Sequence, residues 1–470
     1  MNKYEELMAR KNEIMKKSVG VDYSKYEKGK LSFNYEEMMK DTGYSLSDVI
    51  KIQNNVGVGN TPLLELRNIT KLARKVSKTG KAARIFVKDE SANPSGSFKD
   101  RRASLSVYDA KTRGYKGVAS ATSGNYGAAV ASQAAMRGLH CIIVQEAYDS
   151  RKVGQPEILE KGRKCEALGA EVLRLTVGPE LFYTYLKMLD DTGYYNASLY
   201  STYGVSGVES LGYEIAINCR EKFGKNPDAV VVTHAGGGNV TGTGRGLIKA
   251  GANDTMLIGA SVNLKGLHMA SDNDFNKKSF TTGHTGFGIP FMTNPDRSDV
   301  PRSAARPLRY LDRYVTVTQG EVFYTTELLA QIEGLERGPA GNTSLAAAFA
   351  ISQEMDDNQI IVVQETEYTG AGKHILPQLT FAKKNGIDVS VGNPKDEVPG
   401  KNIIIPDHPS KLYIEEHDLN KYRRSYIKNA AEKITGNEIL KCDLDFLADE
   451  TKESKEQVIK ILHELNIVVR

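Results

Sequence analysis

Between about Thr61 and Phe381, short runs of β-branched and other apolar residues alternate with Ala-rich stretches of helical length. The runs Arg84–Val87, Gly117–Ala119, Cys141–Val144, Val172–Leu175, Ala229–Val232, Met256–Gly259 and Ile360–Val363 predict strands. Gly127–Arg137, Gly204–Phe223 and Thr343–Met355 predict helices. Strands that are apolar throughout, rather than at every second position, belong to a sheet covered on both faces, and alternation with helices makes that sheet mostly parallel. The fold class is therefore α/β, with ligands expected at the carboxyl ends of the strands. The Gly, Ser, Thr and Asn residues gather at those ends. The flanks differ. Residues 1–55 read as a charged helical arm, and after Pro399 the alternation breaks up before Asp443–Leu465, which scans as two amphipathic helices. The expected division is an arm over 1–55, an α/β core over 56–395 and a small, mostly helical C-terminal domain over 396–470.

Composition narrows the function classes. At 470 residues the chain is long enough for two or three domains of roughly 150 residues each. Its 62 Lys and Arg against 58 Asp and Glu leave +4, too little at this size to imply nucleic acid or an anionic membrane. No apolar run approaches a bilayer span. The first residues mix acids and bases without an apolar stretch, so neither a secretory signal nor a transit peptide is expected. The cysteines Cys141, Cys165, Cys219 and Cys442 include no C-x-x-C pair, which argues against a disulfide framework or a structural metal and for a reducing cytoplasm. Cys141 lies inside a predicted strand and reads as a core residue.

Three segments carry chemistry. Asn93–Arg101 (NPSGSFKDR) follows a strand and opens a helix, setting Lys99 near a helix N-terminus. A lysine is ordinarily a solvated cation; an apolar pocket or a helix N-terminus disfavours the charge and frees the amine for Schiff-base chemistry. Ala121–Gly127 (ATSGNYG) offers Thr122, Ser123, Gly124, Asn125 and turn amides as converging donors suited to a carboxylate, although alone it reads equally as a capped βα turn. Thr233–Thr241 (THAGGGNVT) places Gly236, Gly237, Gly238 and Asn239 after a strand, where backbone amides close around a phosphate. It has neither the Walker Lys-Ser/Thr nor a G-x-G-x-x-G, so a phosphate monoester fits better than a nucleotide. Gly338–Ser344 and Gln364–Gly370 are weaker loops on the same edge. A reactive lysine, a carboxylate seat and a phosphate cup, in this order, imply pyridoxal 5′-phosphate acting on an amino acid.

With these segments in view, the sequence resembles the fold-type II pyridoxal-phosphate enzymes, whose fold is that of the tryptophan synthase β chain. In Ser97–Arg101 and Ser123–Gly127 it is most similar to threonine synthases, and the resemblance covers about residues 55–390. It implies two open parallel-sheet subdomains with helices on both faces, the smaller over about 115–205. Lys99 would be the Schiff-base lysine and the acid/base at Cα, and Asn125 would bond the ring hydroxyl. Gly236, Gly237, Gly238 and Asn239 would hold the phosphate. Thr366 would face the pyridine nitrogen, with Glu365 and Thr369 as alternatives. Thr122, Ser123, Gly124 and Asn125 would seat the substrate carboxylate.

Across the whole chain, in Met8–Lys17, Asn263–Ser271, Phe280–Gly288 and Glu365–Lys373, the sequence further resembles the large subunits of two-subunit thiolases of ornithine degradation. That resemblance implies an acyltransferase: thiolytic cleavage of (2R)-2-amino-4-oxopentanoate with coenzyme A to acetyl-CoA and D-alanine. A small α subunit would be the partner, in an oligomer of αβ units. Such cleavage develops charge on the β-carbon, the position that threonine synthases also stabilise. A threonine synthase or a β-eliminating ammonia-lyase on the same scaffold is the alternative. No nucleotide motif marks a coenzyme A site. Arg297, Arg302, Arg306, Arg309 and Arg313 could dock its phosphates, but a solvated or subunit-facing loop is the favoured reading. His284 could be a second acid/base, though a loop histidine is more often structural.

Overall fold

The computed structural model describes residues 3–122, 124–149, 151–178, 180–265, 279–281, 288–296, 299–368 and 375–470. Ser123, His284, Arg297 and Thr369 lie outside the described residues. Eleven strands build two main sheets, the first ten being β1 (Leu63–Glu65), β2 (Arg84–Asp89), β3 (Gly117–Ala121), β4 (His140–Tyr148), β5 (Glu171–Thr176), β6 (Tyr195–Asn196), β7 (Ala229–Thr233), β8 (Met256–Val262), β9 (Arg313–Val317) and β10 (Ile360–Glu365). Three later strands are β11 (Asp388–Gly392), β12 (Asn402–Pro406) and β13 (Glu415–His417). The larger sheet runs β1-β2-β10-β7-β8-β9-β13. Its five inner strands are parallel, and β1 and β13 close the edges antiparallel. The smaller sheet, β5-β4-β3-β6, is parallel throughout. β11 and β12 form a separate parallel pair.

The continuous apolar strands follow from two cores, one on each face of the larger sheet. Phe86, Val230, Val232 and Val362 enter one core, and their neighbours Ile85, Val87, Val231 and Val363 enter the other. The first core is shared with the smaller sheet, since Val118, Ile143 and Leu105 of the connecting helix Lys99–Thr112 belong to it. Helices Thr202–Phe223 and Gly238–Lys249 cover this face and touch backbone to backbone. A Cβ at Gly212 would stand 2.1 Å from the Thr243 carbonyl oxygen, and one at Gly246 2.1 Å from that of Glu209. Only glycine permits that approach.

The flanks brace one another. The Asp443 carboxylate accepts from the amides of Lys30 (3.2 Å), Leu31 (2.8 Å) and Ser32 (2.9 Å), and Phe33 packs on Phe446. The arginine stretch is spent in the same region. Arg306 pairs with Asp296 (2.7 Å) and Glu450 (3.1 Å), and Arg309 with Glu450 (2.6 Å). Arg302 pairs with Glu27 (2.5 Å), and Arg313 with Glu416 (2.8 Å) and Glu354 (3.0 Å). These four arginines are satisfied by the chain's own carboxylates. The Asp443–Leu465 pattern becomes the helices Lys441–Thr451 and Lys455–Glu464.

Candidate functional site

Lys99 opens the helix that follows β2, and its segment is stitched to the exit of β10. The Phe98 amide donates to the Thr366 carbonyl (3.0 Å) and the Tyr368 amide to that of Gly96 (2.8 Å). Thr366, a buried residue, is thereby held one peptide away from Lys99. The Ser95 amide donates to the Asp100 carboxylate (2.7 Å), whose complete burial pushes it up to about 6. Lys99 is half-buried, with Nζ 3.7 Å from the centroid of the Phe98 ring. Beneath the helix start lies an ion knot. Arg101 pairs with Glu90 (2.7 Å) and Glu214 (2.8 Å), and Lys88 with Glu214 (3.0 Å).

The glycine loop follows β7. Gly237, with φ 84°, caps the helix Gly238–Lys249 in the left-handed region that glycine tolerates. Side chains crowd the loop: a Cβ at Gly236 would lie 2.5 Å from the Tyr200 hydroxyl oxygen, and one at Gly238 2.8 Å from an Arg102 Nη. Asn239 is buried, and neither its amide nitrogen nor its oxygen has a hydrogen-bond partner among the described residues. Arg102 is 3% exposed, donates from Nη1 to the Leu199 carbonyl (3.2 Å) and leaves Nε without a partner among the described residues. Burial brings its guanidinium down to about 10, and the ionisable groups it faces are the phenols of Tyr126 and Tyr200. A helix N-terminus, a buried cation and an orphaned amide together form a seat for an anion, and pyridoxal phosphate fits the residues present.

The third loop leaves β3. The Thr122 amide donates to the Val144 carbonyl (2.9 Å) and the Gly124 amide to Thr122 Oγ1 (3.2 Å). Gly124 caps the helix Asn125–Arg137 without a side-chain hydrogen bond, and the Gly127 amide turns back to the Gly124 carbonyl (3.2 Å), so the amides of Asn125 and Tyr126 are the first-turn donors that a ligand could use. Thr122 and Asn125 are both half-buried. Tyr126 of this helix faces Arg102, which joins this loop to the glycine cup.

At the end of β10, neighbouring side chains diverge. Gln364 donates to Thr243 Oγ1 (2.6 Å) on the Gly238 helix, whereas Glu365 lies against Gly341, where a Cβ would come within 1.8 Å of its carboxylate. Thr366 follows the last residue of the strand and is buried. The reading of the sequence missed Arg102 and Tyr200. For Arg102 a signal existed: it lies three residues beyond Lys99, on the same helical face.

The pyridoxal-phosphate dependent enzyme family matches residues 55–367. A protein of Acetoanaerobium sticklandii named 2-amino-4-ketopentanoate thiolase beta subunit is 66% identical over 462 residues, covering 98% of each chain. A threonine synthase of Synechocystis sp. is 28% identical over 65% of this chain and 75% of its own. Among solved structures, a mutant of O-ureido-L-serine synthase with O-ureido-L-serine bound aligns at a TM-score of 0.54 and 20% identity, over 71% of this chain and 93% of its own. That likeness speaks to the fold alone.

Proposed function

The chain belongs to the pyridoxal-phosphate-dependent enzymes, among the 2-amino-4-ketopentanoate thiolase beta subunits; on that footing, we propose that it cleaves (2R)-2-amino-4-oxopentanoate with coenzyme A to acetyl-CoA and D-alanine. It would do so as the catalytic subunit beside a small α subunit, in an oligomer of αβ units in the cytoplasm. The observation that carries the reading is 66% identity sustained over 98% of both chains. Among the described residues no helix is long and apolar enough to cross a membrane.

Pyridoxal 5′-phosphate, when bound, supplies a ring that accepts charge from the carbons beside the substrate's amino group. Lys99 would hold the cofactor and move the proton at Cα, taking it before C3–C4 cleavage and returning it afterwards. Gly236, Gly237, Gly238 and Asn239 would hold the phosphate, and Asn125 the ring hydroxyl. Thr366 would face the pyridine nitrogen, an assignment supported by its bond to Phe98 and by the turn of Glu365 towards Gly341. Thr122, Ser123, Gly124 and Asn125 would seat the carboxylate of the substrate. Residues 56–395 would carry the chemistry, braced by the 1–55 arm and the 396–470 segment. No step requires a cysteine, and the buried Cys141 thiol is pushed up by desolvation, far from a thiolate.

The test is a visible spectrum of the cofactor-loaded chain titrated with 2-amino-4-oxopentanoate. The cofactor band should change on titration and be absent from the start in Lys99→Ala. A band that ignores this substrate but answers to O-phosphohomoserine would move the assignment to a threonine synthase.

A further inference from the structure

The other deeply buried arginines among the described residues come with carboxylates. Arg101 has Glu90 and Glu214, Arg245 has Glu209 (2.6 Å) and Glu36 (2.8 Å), and Arg306 has Asp296 and Glu450. Arg102 is as buried as these, yet among the described residues no carboxylate pairs with it. Its neighbours are the Leu199 carbonyl, the Phe98 ring (5.3 Å) and two phenols. An uncompensated cation in a protein interior is strongly unfavourable. Its position sharpens the problem, because the guanidinium abuts Gly238, the first residue of a helix whose N-terminus is itself a centre of positive potential. Two positive sources face one pocket, with the orphaned amide of Asn239 beside them. Only an anion resolves that arrangement.

We propose that Arg102 is the counter-ion of a phosphate monoester seated on Gly236–Gly238, holding it as the dianion and giving this chain its preference for phosphorylated cofactor over pyridoxal. The proposal rests on the cofactor reading above, in which that monoester belongs to pyridoxal phosphate. Coenzyme A is the other source of phosphate, and the test separates the two. Arginine suits the role because its planar fork meets two phosphate oxygens at once and stays charged at about 10 even when desolvated.

Arg102→Met and Arg102→Lys are compared with wild type by melting of the apoproteins, by titration with pyridoxal phosphate and with pyridoxal, and by 31P NMR of bound cofactor across pH 5.5–8. Arg102→Met should melt, as apoprotein, at or above the wild-type temperature. It should bind pyridoxal phosphate about 10- to 100-fold more weakly, the size of a charge-assisted hydrogen bond or two. Pyridoxal affinity should stay within about twofold, because the lost contact is to phosphate alone. Arg102→Lys should recover part of the loss. The wild-type 31P resonance should not titrate, whereas a free monoester titrates near pH 6. Equal loss for both ligands, an apoprotein that melts lower, a titrating wild-type resonance, or intact cofactor binding with a raised KM for coenzyme A would each overturn the proposal. A wild-type chain that binds no pyridoxal phosphate would instead sink the cofactor reading itself.

Discussion

The ion knot under Lys99 and the glycine cup beside it use the same ingredients in opposite ways. Arg101 and Arg102 are adjacent and both buried, but among the described residues Arg101 meets two carboxylates and Arg102 meets none. The knot is complete within the chain: Glu90 also accepts from Thr61 (2.6 Å), Arg101 donates to Ser210 (3.0 Å), and Gln53 donates to the Arg101 carbonyl (3.0 Å). Among the described residues, nothing answers Arg102 Nε or the Asn239 side-chain amide in the cup. A buried polar cluster that satisfies itself serves the fold, whereas one that is left open serves a ligand. Arg101→Met should break the contrast most forcibly. It strands Glu90 and Glu214 in the interior and should cost about 3–5 kcal/mol, read as a lower denaturation midpoint of the apoprotein. A midpoint unchanged from wild type would mean that the knot is no more structural than the cup.

The same interaction is visible through pH, and the two effects are not additive. Burial alone would raise the Glu214 carboxyl, but the Arg101 guanidinium and Lys88 outweigh it and bring it from 4.5 to about 2. Its folded value lies below its unfolded value. The stabilisation is therefore complete above pH 4.5 and is lost as pH falls towards 2, to a total of about 3 kcal/mol. Melting of wild type and Glu214→Gln between pH 3 and pH 6 should show a gap that is widest at pH 6 and closes on acidification. A constant gap would refute a depressed carboxyl.

What was legible in the sequence tracks how locally each feature is determined. β7 and β10 are buried at every position, so their uninterrupted apolar runs announced both the strands and the covered sheet. The three loops were legible because Gly, Ser and Asn follow strands directly. β13 is exposed or half-buried and joins the sheet edge only through β9, a pairing that its three polar residues do not encode. The helix Leu419–Ala431 went unread within a stretch whose alternation had broken up. The arginine stretch was ambiguous for a different reason: Glu450, which holds Arg306 and Arg309, stands more than a hundred residues further along. Arg102 was hidden by likeness, since nothing in two consecutive arginines distinguishes the one that is paired from the one that is not.

Glu365 offers the finest division between knot and cup. It is fully buried, and Arg337, the nearby cation, is committed to Asp89 (2.9 Å from Nε) rather than to Glu365. Desolvation, with Asp89 and Glu367 close by, holds its carboxyl well above 4.5, the reverse of Glu214. A raised folded value means that Glu365 is least costly at low pH and that stability is lost as pH rises from 4.5 towards that value. Glu365→Gln resembles the protonated acid in shape and removes that dependence, but it buries an amide with equally few partners. The two terms offset near neutrality, so the melting point at pH 7 should correspond to a change within about 1 kcal/mol, the smallest effect considered. From pH 5 to pH 9 the variant should gain on the wild type, opposite in direction to the Glu214 series. A loss comparable to that of Arg101→Met would show that Glu365 is charged and paired, and would move it from the open side of the comparison to the closed one.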